Sequence, residues 1–475
     1  MMYVEQIYTN CLAQGSYYLE SNGEAAVIDP IRDYQQYIDL AASRGAKIKY
    51  VFETHFHADF VSGHIDLANE VEAQIIYGPG AVTGYPTYNG KDGELFPLGD
   101  AQIKLIHTPG HTPESSCYLL LDENGKEHSI FTGDTLFVGD VGRPDLALKL
   151  GYTQDELASM LYDSLRNKLM TLPDDVTLYP GHGAGSSCGK NLSSETVSTI
   201  AEQKQSNYAL QEMSKEEFIE EITTGLLTPP PYFFSDASIN KNGYEPITEV
   251  MKRNMVPMKV EGFMKAAEEG AIILDVRSKE DFVKSHIPNS IFIGLDGNFA
   301  LWVGAILSID KDLILVCPEG REEEAIRRLA RVGYEKVLGF LQGGFDSYTS
   351  AGLETSKIES IEADEAIKKL DEIPVLDVRK PGEVEASHVE GAQNIRLQEL
   401  MDSYKGIENL HKPHFVHCAS GYRSVIAISL LQREGITNYI NVLGGFNALS
   451  EKGAPCKDGL CATQRRAQKF EEQNS

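Results

Sequence analysis

The chain has 475 residues, too many for one ordinary core; at ~150 residues per domain it reads as about three domains. A formal net charge of −27 disfavours nucleic acid and anionic membrane as partners, so an anionic substrate has to be received by a locally basic or amide-rich pocket. No apolar run approaches the ~20 residues of a membrane span, and the opening MMYVEQIYTNCLAQ has neither the basic nor the apolar region of a secretory signal. The seven cysteines are scattered, which predicts reduced thiols and a cytoplasmic location. Only Cys456 and Cys461 lie close together, and they read as incidental tail thiols.

In chain order, SYYLES and EAAVIDP predict paired strands about an Asn22-Gly23 turn. KIKYVFETHFH, QIKLIHTPGHT, HSIFTGDTLF and VTLYPGHG each predict a strand that ends in a His- or Asp-bearing loop. These loops supply His55, His57 and Asp59, then His111, Asp134 and His182, and so many imidazoles and carboxylates at strand ends predict a metal site. His64, His107 and His128 read as ordinary hydrogen-bonded or solvated side chains. From 190 to 250 a polar, helix-like stretch leads into LTPPPYFFSDASINKNGYEP. Pro229–Pro231 predict that this last segment is no helix but an extended linker on the surface.

The second half repeats itself. IILDVRSKEDFVKSHIPNSIFI (272–293) matches PVLDVRKPGEVEASHVEGAQNI (374–395), and 313–345 matches 414–446. Asp275 pairs with Asp377, His286 with His388, Cys317 with Cys418 and Gly344 with Gly445. Each copy spans about a hundred residues of strands alternating with helices, which predicts a parallel α/β sheet. CASGYRS (418–424) lies between a strand and a helix, where backbone amides and Arg423 favour a thiolate and an anion beside it. The other copy reads CPEGREEE (317–324), with Glu322 in the arginine's slot and acids that raise a thiol's pKa, so it reads as degenerate.

The series T-H-x-H-x-D, H-T-P-G-H-T, T-G-D-T, P-G-H-G resembles the metallo-β-lactamase superfamily. The resemblance implies an αββα sandwich over residues 1–250, including a helical extension and linker, with metal at the edge where the loops meet. In the superfamily's binuclear hydrolases the motif continues with a histidine that helps hold a second metal. Here Phe60 stands in that place and cannot ligate. The remaining single site suits the two-imidazole, one-carboxylate set of mononuclear iron oxygenases. It resembles the persulfide (sulfur) dioxygenases, which usually keep that histidine. Carried over motif by motif, this implies one Fe(II) per chain on His55, His111 and Asp134. His57 and Asp59 would orient ligands and water, His182 would be held by hydrogen bonding, and Arg143 of GDVGRPD would contact the substrate.

The Cys418 loop resembles that of rhodanese sulfurtransferases, implying sulfane-sulfur transfer by Cys418 and Arg423. The whole chain thus resembles metallo-β-lactamase–rhodanese–rhodanese fusions of sulfide detoxification, with rhodanese-like domains at 251–357 (degenerate) and 358–475 (active). The implied partners are a small persulfide, O2 and sulfite, with a sulfur-carrier protein and a homo-oligomer also expected. The rival reading is a zinc thioesterase of glyoxalase II type with rhodanese appendages.

Overall fold

Asn22 and Gly23 take φ of +45° and +79°, which folds β2 (Gln14–Ser21) back on β3 (Glu24–Ile28) with Ser21 opposite Glu24. The computed structural model describes residues 2–148, 151–190 and 192–459; Cys461 lies outside the described residues. β1 (Met2–Thr9) pairs antiparallel with β2, and β4 (Lys47–Phe52), β5 (Gln74–Tyr77) and β6 (Tyr88–Asn89) follow β3 in parallel to complete a six-stranded sheet. A second six-stranded sheet runs β12-β11-β10-β9-β8-β7. Its strands are β7 (Leu95–Leu98), β8 (Ala101–His107), β9 (Ser116–Leu121), β10 (Glu127–Gly133), β11 (Thr177–Pro180) and β12 (Ser198–Thr199).

Residues at a spacing of two face each other between the sheets. Tyr17, Leu19, Tyr50 and Phe52 on one side meet Phe96, Leu98, Ile103, Leu105, Tyr118 and Leu120 on the other. α1 (Gln35–Arg44) and α2 (His64–Val71) pack on the first sheet; α3 (Gln154–Ser164), α4 (Ile200–Ser206) and α5 (Lys215–Thr223) cover the second. This is the αββα sandwich. The helix-like stretch after 190 is cut into α4 and α5, each opened by its own capping box, Thr199 with Glu202 and Ser214 with Glu217.

The expected extended linker holds a helix with one buried face instead, α6 (Phe233–Asn242). Prolines forbid only the helix interior, and Pro229–Pro231 end before its first turn, so the rule that excluded a helix applied to the wrong residues.

Two compact units emerge. The first joins Met1–Arg253 to Ala300–Ile309 and Ile326–Glu335; the second holds Asn254–Phe299, Asp310–Ala325 and Lys336–Ser475. In the second, each repeat builds a five-stranded parallel sheet of one strand order. Ile272–Asp275 and Val375–Asp377 end in the DVR motifs; Leu313–Val316 and His414–His417 lead into the cysteines. Among the described residues, no helix is long and apolar enough to cross a membrane.

Candidate metal centre and cysteine loops

The candidate metal loops leave the carboxyl ends of β4, β8, β10 and β11, and hydrogen bonds set their imidazoles. Thr54 donates its amide (2.7 Å) and hydroxyl (2.8 Å) to buried Asp29. With its proton spent there, Thr54 Oγ1 accepts from His55 Nδ1 at 3.0 Å, which leaves the lone pair on Nε2. His111 Nδ1 donates to the Arg143 carbonyl at 2.9 Å, and His182 Nδ1 to that of Ala13 at 3.1 Å, so their Nε2 atoms are likewise bare. Burial, then the neighbouring imidazoles, hold His55 well below the usual histidine range, in the neutral form a ligand needs.

Donor atoms of His55, His111 and Asp134 lie within 4.8 Å of one another, and all three residues are buried. His111 Nε2 stands 3.4 Å and His55 Nε2 3.8 Å from Asp134 Oδ2. His57, Asp59 and His182 form a second such set; His182 Nε2 is 3.4 Å from Asp59 and 3.5 Å from Asp134 Oδ1. Both oxygens of Asp59 and Asp134, and Nε2 of His111 and His182, are buried without a hydrogen-bond partner. Bare imidazole lone pairs facing carboxylate oxygens repel unless a cation stands between them, so these residues fit a metal ion. Glycines let the loops close: a Cβ on Gly181 would sit 2.6 Å from Asp134 Oδ1, and one on Gly142 2.9 Å from His111 Nδ1.

His57 turns Nε2 away, to 3.0 Å from Asp29 and 3.5 Å from Glu53. Burial opposes its charge, but Asp29 and Glu53 outweigh it and lift its pKa to about 9. The Phe60 ring lies against it, 4.4 Å between centroids. His64, His107 and His128 are hydrogen-bonded elsewhere, to Tyr85, Pro113 and Ser129.

In the second unit, Cys418 is buried and its Sγ accepts from the Gly421 amide at 3.1 Å, at the start of the helix Arg423–Arg433. Arg423 pairs in bidentate fashion with Glu383, at 2.7 Å in both arms. Cys317 is equally buried, but burial and then Glu322 push its thiol far up, and Arg321 turns instead to Glu324 and Asp296.

Residues 10–182 match the metallo-β-lactamase superfamily, and residues 260–351 and 362–452 each match the rhodanese-like domain. A metallo-β-lactamase structure from Staphylococcus aureus is 32% identical and covers 72% of this chain and 98% of its own, at a TM-score of 0.64. The chain belongs to the metallo-β-lactamase superfamily. It is also similar to a probable hydroxyacylglutathione hydrolase of Schizosaccharomyces pombe, 33% identical over 33% of this chain and 58% of that protein. The cytoplasmic hydroxyacylglutathione hydrolase of Arabidopsis thaliana is 34% identical over 36% of this chain and 65% of that protein. The chain therefore spans less than two thirds of either hydrolase.

The structure departs from the sequence reading at three points. Arg143 is buried and committed within the protein: its guanidinium holds Asp145 at 2.6 and 2.7 Å and donates to the Ser187 and Leu227 carbonyls, while its own carbonyl orients His111. Cys188, not singled out in the sequence reading, lies in a donor group with Asp134 and His182. Asn240 and Tyr232, in the supposed linker, bond to the backbone of the HFHADF loop. A loop of this kind, buried and lacking regular structure, was the available signal that some distant side chain had to satisfy it.

Proposed function

We propose that this chain is an iron-dependent persulfide dioxygenase coupled to sulfane-sulfur transfer at Cys418, acting in sulfide detoxification. The overall reaction is RSSH + O2 + H2O giving RSH and H2SO3. The observation that carries the reading is Phe60: a buried ring without a lone pair occupies the place of a second-metal ligand, beside a complete set of two imidazoles and a carboxylate. Bound Fe(II) would supply the redox chemistry with dioxygen. The chain's own part is to present His55, His111 and Asp134 in ligating form, with Thr54 and the Arg143 carbonyl holding the two rings. At the second centre, sulfite attacks the outer sulfur of Cys418–S–SH, the S–S bond breaks, and thiosulfate leaves. The Cys418 thiolate that remains is received by the Gly421 amide, with Arg423 nearby to favour anions.

A zinc thioesterase is the second reading, supported by the second donor set of His57, Asp59 and His182 with Asp134 between the sets. Oxygen uptake by Fe(II)-loaded protein given glutathione persulfide separates the two. Uptake abolished by His111→Ala supports the dioxygenase. Absence of uptake, with tightly bound zinc and cleavage of S-lactoylglutathione, would replace it by the thioesterase.

A further inference from the structure

Packing helices usually turn aliphatic side chains inward, but beyond Phe233 the buried positions of α6 are polar. Tyr232 at its start, then Asp236 and Asn240, recur every fourth residue and are 2%, 0% and 0% exposed. Asn240 spends its whole amide on one stretch of loop. Its Nδ2 donates to the carbonyls of His57 (2.8 Å) and Phe60 (2.7 Å), and its Oδ1 accepts from the Ser62 amide at 2.9 Å. Both N–H donors are used, and the oxygen accepts one bond from the same loop. Tyr232 donates to the carbonyl between them, that of Asp59, at 3.3 Å.

The loop cannot satisfy these groups itself, because residues 53–61 lie in no helix or strand and most are buried. A buried carbonyl that loses its donor costs more than the bond was worth. Once the carbonyls of residues 57, 59 and 60 are tied, the backbone there has one conformation, and it sets the directions of the His57 and Asp59 side chains. His55 is tied separately, through Thr54 and Asp29.

We propose that Asn240, assisted by Tyr232, is a positioning residue of the metal centre, setting from α6 the loop that presents His57 and Asp59 to the cluster. This rests on reading the cluster as a metal centre. The test is cobalt binding by the full chain, measured by chelator competition and by the visible spectrum of the Co(II) form, both independent of turnover. Asn240→Leu removes all three bonds and is expected to weaken cobalt binding at least tenfold and to change the spectrum. Asn240→Ser keeps a shorter donor and acceptor and should fall between parent and Leu; it decides the matter alone if the Leu variant does not fold. Tyr232→Phe should weaken binding two- to threefold. Parental affinity and spectrum in the Asn240 variants, even with a lowered melting temperature, would reduce α6 to a packing helix and overturn the proposal. A parent chain that binds no cobalt would instead sink the metal-centre reading.

Discussion

Cys317 and Cys418 leave equivalent strands of two sheets with the same strand order, on frames that share the bonds of the DVR motif. In each, the DVR arginine clasps the aspartate two residues before it, donates to a serine carbonyl eight residues on, and lies over a phenylalanine ring. The sets are Asp275, Arg277, Ser285 and Phe345 in one copy, and Asp377, Arg379, Ser387 and Phe446 in the other. The charges around the thiols do not agree. Where the second copy has Lys380, Arg396 and Arg423, the first has Ser278, Gly294 and Glu322, aligned by DVR, by strand register and by the cysteines. The three cations act as one cluster: burial first, and then Arg423 and Arg396, hold Lys380 below the usual lysine range against the pull of Glu383. In a chain with a net charge of −27 this is a locally basic cluster, which the sulfur transfer proposed above would use to receive an anion. The shared frame and the charges around the thiols are thus held by different residues, so the charges can differ while the frame is kept.

The largest effect that would break this comparison is Cys418→Ser. Sulfur transfer to sulfite or cyanide should vanish while oxygen uptake with a simple persulfide stays near parental; loss of both would mean that the two centres do not act independently. Next, Arg423→Glu gives the Cys418 loop the glutamate that the Cys317 loop carries as Glu322. Exchanging a cation for an anion beside a thiolate should slow transfer on the order of a hundredfold, and the melting temperature should fall as well, because the new carboxylate faces Glu383. Glu322→Arg runs the exchange the other way. It removes an anion that raises the Cys317 pKa, so alkylation of Cys317 by iodoacetamide at pH 8 should quicken, by about tenfold at most because burial is the larger cause. No change would assign the raised Cys317 pKa to burial alone.

The smallest effect separates Gly445→Ala from Gly344→Ala. Both glycines have positive φ, which costs an alanine ~1 kcal/mol, but a Cβ on Gly445 meets the Cys418 carbonyl at 2.4 Å and one on Gly344 meets that of Cys317 at 3.3 Å. Chemical denaturation should therefore show the larger loss for Gly445→Ala, with a fall in sulfur transfer as its loop is pushed aside.

Much of the candidate site was legible because its donors stand just past apolar strands, where period-two patterning gives way to histidine and aspartate. The repeat was legible for a similar reason, since its anchors keep an almost constant offset. Helix α6 was not, because a run of prolines is a local signal, whereas packing decides the conformation of the residues beyond it. Nor was Asn240, whose partners His57 and Phe60 are 183 and 180 residues away.

By itself the sequence determined which residue types are available and on which elements: the metal-binding loops, the phenylalanine among them, and a cysteine loop with its arginine beside one without. Those are properties of short stretches, governed by backbone preference and side-chain chemistry. Only the tertiary structure decided orientation. Thr54, Arg143 and Ala13 select the imidazole nitrogens that face inward, Arg143 spends its charge on Asp145, and α6 holds the metal loop. The reason is that buried polar groups must find partners, and in a folded chain those partners come from wherever packing brings them.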